Sequence, residues 1–287
     1  MDFLNLIIMK RHNFYRALLL IAFCGMAFVG CEKEDTEDQR DGMDDERRVS
    51  SLQEPPNNQI FYNSTCKLDI QFFESAIQHD YDSVSEYGCV TFASAINEIP
   101  ACAFEGNCSI TAVALPNSVT TIGDGAFEGC ASLYSAMMNG ALTIGVGAFS
   151  GSKLYLIDVP EVQTIGAYAF YKSRVEDVSL LTVRTIGKSA FEFCPIQTVT
   201  LGGRIEYLDT NAFASSTHYQ GISHVVCMGG KCPQCGNNPF AGSRPFLFVP
   251  KGCEAYDAWL DDGWSRRGFH SCIITSSSAA PRLTPQT

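Results

Sequence analysis

"LPNSVTTIGDGAFEGCASL", residues 115–133, holds the pattern that decides the fold. Ile122 is followed by Gly123, Ala126 by Phe127, Cys130 stands three residues after the phenylalanine, and Leu133 closes the stretch. The same grammar returns along the chain. Phe104, Phe127, Phe149, Phe170, Phe191, Phe213 and Phe240 recur at intervals of 23, 22, 21, 21, 22 and 27 residues. The first six follow an alanine; Pro239 precedes the seventh. Five residues before each phenylalanine stand Ile99, Ile122, Ile144, Ile165, Ile186, Leu208 and Cys235. A glycine follows that residue in five units, with Pro100 and Asp209 as the exceptions. A unit this short cannot bury its apolar face alone, so units at a fixed period must stack.

Downstream of each phenylalanine comes an apolar triad, for example Ile110-Val113-Leu115, Leu154-Ile157-Val159 or Ile196-Val199-Leu201. Its last two members are two residues apart, the period of a strand with one buried face. Pro116 and Pro160 stop two of these runs. The glycine and the Ala-Phe pair predict a tight bend into a short helical turn. Stacked coils place strand beside strand in one direction, so the sheet is parallel. At about 4.8 Å per strand, seven coils form a rod roughly 30 Å long. The fold class is a β-rich solenoid.

With these residues in view, "LPNSVTTIGDGAFEGCASL" resembles the BspA-type leucine-rich repeat, over about residues 57 to 273. "NNQIFYNST" (57–65) and "GCVTF" (88–92) resemble the β-rich cap that precedes such repeats. "FLFVPKGCEAYDAW" (246–259) resembles their terminal strand and short closing helix. The resemblance implies right-handed coils and adhesion-type roles. It divides the chain into an N-terminal β cap at 57–98, the repeat solenoid at 99–250 and a C-terminal helical cap at 251–273. Residues 274–287 read as a disordered tail.

The N-terminus points to export. Lys10, Arg11 and Arg16 precede the uncharged, mostly apolar run "ALLLIAFCGMAFVG", residues 17–30. That run is short for a membrane span of about 20 residues and fits a secretion signal. Residues 1–30 form the signal, with Met9 as the expected start. "FVGC" resembles a bacterial lipobox and makes Cys31 the expected lipidation site; an ordinary cleaved signal is the alternative. Acyl chains on Cys31 would anchor the protein to a membrane. Residues 31–56 carry nine acids and four bases within 32–48 and read as a solvated linker. Its acidic start resembles the surface-export signal of Bacteroides-type lipoproteins, with a plain spacer as the alternative.

Composition narrows the function. The net charge of −11 argues against nucleic acid as a partner. Thirteen cysteines fit an exported chain better than a reducing cytosol. Cys130 and Cys194 share their repeat position with serines, so they read as small core residues. Cys66 and Cys89, both in the cap, are candidates for a disulfide. Cys227, Cys232, Cys235 and Cys253 carry the spacing of a thiolate metal site. The repeat register opposes that reading: Cys235 takes the core isoleucine's place and Cys227 ends a strand, leaving only Cys232 in a connection. No metal site, cofactor or catalytic residue is therefore expected. Glu206 and Asp209 read as surface turns, and no nucleophile elbow, zinc-binding helix or phosphate loop occurs.

What remains is a surface. Residues between the inward strand positions are expected to face out: Ala112/Ala114, Ser135/Met137, Leu156/Asp158, Asp177/Ser179, Thr198/Thr200 and His224/Val226. Tyr134, Met137, Tyr155, Leu156, Asp158 and Asp177 form the candidate binding face, because exposed aromatic and apolar side chains anchor interfaces. The expected protein is a non-enzymatic outer-membrane lipoprotein, exposed at the cell surface, that binds an extracellular protein or glycan. The alternatives are a periplasmic or surface glycan-handling accessory protein, and a thiol or zinc protein using Cys232 and Cys235.

Overall fold

A computed structural model describes residues 55–249 except 156, 216–220 and 244. The signal, Cys31, most of the linker, the helical cap at 251–273 and the tail lie outside the described residues. Seven coils stack into a β-solenoid with parallel strands, as the repeat pattern requires.

Strands are numbered in chain order. The cap contributes β1 (Gln59–Ser64), β2 (Ala76–Asp82) and β3 (Tyr87–Phe92), antiparallel in the order β2-β3-β1. One side of the solenoid is a seven-stranded parallel ladder of two-residue strands. These are β4 (Glu98–Ile99), β6 (Thr121–Ile122), β8 (Thr143–Ile144), β9 (Thr164–Ile165), β11 (Thr185–Ile186), β13 (Tyr207–Leu208) and β15 (Gln234–Cys235). The other side carries longer strands in two sheets. In the first, β5 (Ile110–Ala114) pairs with cap strand β1 and with β7 (Ser135–Met137). The second contains β10 (Asp177–Leu180), β12 (Thr198–Leu201), β14 (His224–Cys227) and β16 (Phe246–Phe248).

The repeat phenylalanines form one continuous stack. Ring centroids from Phe104 to Phe240 are 4.6–5.4 Å apart, with successive planes within 11°. Each is fully buried, as are the isoleucines five residues earlier. The triad residues are buried as the strand period predicts. A further column lies three residues before each isoleucine: Val119, Ala141, Val162, Val183 and Ile205 are buried, and Ile96 and Cys232 pack against its ends.

The glycine after the isoleucine is a matter of approach. A Cβ on Gly166 would lie 2.7 Å from the Gly145 carbonyl carbon and from the Val146 nitrogen. A Cβ on Gly187 would lie 2.5 Å from the Ala167 nitrogen. At these glycines successive coils meet backbone to backbone, with no room for a side chain; coil six carries one there, on Asp209.

The Ala-Phe segment departs from the expected helical turn. Ala126, Glu128 and Cys130 donate to the carbonyls of Gly123, Gly125 and Phe127, making three chained turns. The alternate N–H groups, of Gly125, Phe127 and Gly129, leave the coil and bond Val146, Ala148 and Ser150 of the next one at 2.7–2.8 Å. Left-handed residues make the alternation possible. Gly125 and Gly129, two before and two after Phe127, have φ of 61° and 68°. The residue two before the phenylalanine is left-handed in all seven coils. A left-handed residue every fourth position cannot belong to a right-handed helix.

The cap closes the stack. Phe73, on a 3-10 turn (Gln71–Ser75), meets Phe104 edge-on, with centroids 5.7 Å apart at 79°. Tyr62 is fully buried; its hydroxyl lies 2.8 Å from His79 Nε2 and accepts the Leu68 N–H at 3.3 Å. Gly88 pairs with Tyr62 across the strands, and its missing side chain leaves the space the tyrosine ring fills.

Candidate interaction surface

Side chains alternate across a strand, so register places the outward residues in two rows. In the first sheet one row runs Cys89–Phe61–Ala114–Met137 and the other Tyr87–Asn63–Ala112–Ser135. In the second sheet they run Ser179–Thr200–Val226–Phe248 and Asp177–Thr198–His224–Phe246.

The first sheet corrects an expectation. Ala112, Ala114 and Ser135 lie on the outward face, yet all three are buried. Ala114 is a methyl group between Phe61 and Met137 in register, and Ala112 sits between Asn63 and Ser135. Short side chains flanked by longer ones become the floor of a trough. Val226, between Thr200 and Phe248, is buried for the same reason.

Two polar atoms in that trough have no partner: Asn63 Oδ1 and Ser135 Oγ are buried and make no hydrogen bond. An unpaired buried polar atom costs about 1–3 kcal/mol. Asn63 is held in place by its amide, which donates to the Glu86 carbonyl at 3.2 Å. Phe61 and Tyr87 form the cap-side wall, with ring centroids 5.8 Å apart. Burial pushes the Tyr87 phenol well above its ordinary pKa.

The other predicted residues distribute as follows. Tyr134 is half-buried, its N–H bonded to the Thr111 carbonyl at 3.0 Å. Met137 is half-buried on the trough's outer edge and Tyr155 is half-buried one coil on. Leu156 lies outside the described residues. Asp158 is exposed on a segment that forms no strand, and Asp177 is half-buried on β10. Met137 therefore borders the trough, Tyr134 immediately precedes that strand, and Asp177 belongs to the second sheet. Sequence reasoning missed Phe61, Asn63 and Tyr87. The signal lay in the cap, whose strands alternate as the repeat strands do. It also missed an aromatic cluster at the far end, where His224 stacks within 5.7 and 5.8 Å of Phe246 and Phe248.

The cysteines divide by column. Cys130 and Cys194 are buried and donate to the Phe104 and Phe170 carbonyls, both at 3.0 Å. Burial pushes both thiols up to about 12. Cys227 is buried as expected. Cys235 was expected in the core and is instead exposed, because β15 is the terminal strand of its ladder. Cys232 was expected in an open connection. It packs against the core as the last member of the Val119 column, and burial pushes its thiol up to about 12. Cys66 is exposed and Cys89 half-buried, each a free thiol. Among the described residues no group of three His, Cys, Asp or Glu side chains is placed to hold a metal ion. Among them, too, no helix is long and apolar enough to cross a membrane.

The model of the BspA type leucine-rich repeat region matches the chain in six copies, over residues 57–176 and 97–220. No curated protein matches the chain.

Proposed function

The chain belongs to the BspA-type leucine-rich repeat family, and on that premise we propose that it is a non-enzymatic surface lipoprotein that captures an extracellular protein. A leucine-rich repeat solenoid is a protein-interaction scaffold, and fold alone does not name the partner. In this reading Cys31 is lipidated, the acidic linker holds the solenoid off the outer membrane, and the outward strand face binds. The observation that carries it is the trough floored by Ala112, Ala114 and Ser135, with Asn63 Oδ1 and Ser135 Oγ buried and unpaired. Both atoms lie beneath their longer neighbours, so a captured polypeptide reaches them as those side chains part; it then brings donors and acceptors to them, with Phe61, Tyr87 and Met137 as apolar walls.

The full chain is screened against matrix proteins, with glycans as the competing class. Ser135→Ala then separates binding from stability. It removes an unpaired hydroxyl, so stability holds or rises, while affinity for a captured protein falls about tenfold, the effect of one lost interface hydrogen bond. An affinity unchanged in Ser135→Ala and in Phe61→Ala would move the site elsewhere. Cys31→Ala is expected to release the protein from the membrane. Protease treatment of intact cells removes a surface protein and spares a periplasmic one.

A further inference from the structure

The turn ridge, on a different side of each coil from the strand face, carries a second surface. Glycine fills the left-handed positions flanking the phenylalanine in coils two and three, at Gly125, Gly129, Gly147 and Gly151. In coils four and five the same positions hold Tyr168, Lys172 and Phe193, at φ of 57°, 57° and 63°. Bulky side chains rarely adopt this conformation, which costs roughly 1–2 kcal/mol per residue. Here they build one exposed cluster. Tyr168 meets Tyr171 edge-on at 5.6 Å, Tyr171 meets Phe193 at 5.6 Å, and the Lys172 ammonium sits 5.1 Å over the Tyr171 ring. Tyr168 is 37% exposed. With one face of Tyr171 under an ammonium and its neighbours tilted, the cluster is a knob rather than a flat platform for a sugar ring.

Charge along the ridge is segregated. Coils one and two present Glu105, Asp124 and Glu128 with no base among the ridge residues, whereas coils four and five present Lys172 and Lys188 against Glu192 alone. Gly106 has open space where a side chain would stand, and the Glu128 carboxylate lies across Gly125 and Gly147. Val146, in the coil between, is an exposed apolar residue at 48%.

We propose that this ridge is a homodimer interface, with a second copy of the chain bound about a two-fold axis through the Phe149 coil. The axis pairs coil four with the partner's coil two and coil five with the partner's coil one. Tyr168 then lies on the partner's Gly125, Lys172 on the partner's Gly129 beside the partner's Glu128, and Phe193 on the partner's Gly106. Val146 meets its own counterpart at the axis. Every contact off the axis occurs twice, and the Val146 contact on it once, as an isologous interface requires. Glu192 facing the partner's Glu105 is the one like-charge pair, and Lys188 flanks it. The strip is narrow, so association is weak, with a dissociation constant on the order of micromolar or above.

Sedimentation equilibrium of the full chain in mild detergent, at low salt and rising protein concentration, tests this. The mass should climb toward twice the monomer value. Tyr168→Gly should weaken association at least about tenfold while thermal melting stays level or rises, because glycine accepts the left-handed conformation. Lys172→Glu and Glu128→Lys should each weaken it, and a mixture of the two single variants should pair again. A monomer at every concentration overturns the proposal. So does a dimer that survives Tyr168→Gly together with Lys172→Glu, or a charge swap without rescue. Binding of an extracellular protein reads the strand face instead, so either proposal can fail alone.

Discussion

The two sides of each coil are built on different terms. On the turn side, seven two-residue strands form one unbroken ladder, and the glycines bring backbone onto backbone. On the strand side, the sheet splits between β7 and β10, and the described residues of the segment carrying Tyr155 and Asp158 form no strand. The turn side is fixed by main-chain contact and tolerates little. The strand side is held by side-chain burial and leaves its outer residues free to differ from coil to coil. Variation there shapes the trough, whereas on the turn side it is found at the outward left-handed positions.

The largest effect should come from the element both sides share. Phe149 lies mid-stack and fully buried between Phe127 and Phe170. Phe149→Ala is expected to cost about 3–5 kcal/mol in denaturant unfolding. The next test sets the sides against each other. Gly166→Ala drives a methyl group into the preceding coil's backbone and should cost about 1–3 kcal/mol. Thr198→Ala, half-buried on the strand face, should stay within about 0.5 kcal/mol. Equal losses would erase the contrast.

Acid should act on the cap rather than on either side of the coils. Burial, with Lys67 nearby, holds His79 below its ordinary pKa. The unfolded chain then takes up the proton first, so stability is full above about pH 6.5 and falls as pH drops toward the folded value. Melting curves between pH 7.5 and 5 should show this loss, and His79→Phe should flatten it. The smallest effect belongs to the turn ridge. Cys102 is exposed at φ 56°. Cys102→Gly should leave stability level or raise it by about 0.5–1 kcal/mol, read as a small rise in melting temperature.

The phenylalanine and isoleucine columns were legible in the sequence because large apolar residues at a fixed period have one explanation. The column three residues before each isoleucine was less so. It mixes valine, alanine and isoleucine with Cys232, and no single residue type marks it. That is why Cys232 read as a loop residue when it packs against the core; Cys235 keeps the isoleucine register beside Leu208 and is exposed only as the end of its ladder. The left-handed positions were hidden as well. Glycine marks them in coils two and three, but Tyr168, Ser189 and Asn211 carry the same backbone without it. The trough was hidden for another reason: whether Ala114 is exposed depends on Phe61, far away in the chain, which register alone brings beside it.

The hydrogen bonds that link one turn to the next also have a direction. The N–H groups of Gly125, Phe127 and Gly129 point to the following coil, and the carbonyls of Asp124, Ala126 and Glu128, in the same peptide units, accept from the preceding one. Peptide dipoles on this ridge therefore add rather than alternate, as they do along an α-helix and do not in an ordinary sheet. Along the isoleucine ladder the bonds run the other way, as from the Gly145 N–H to the Ile122 carbonyl, so the polarity is local to the ridge: negative toward the cap and positive toward the last coil. Any coil duplicated or grafted into the stack must keep both directions, with N–H groups forward on the ridge and backward along the ladder.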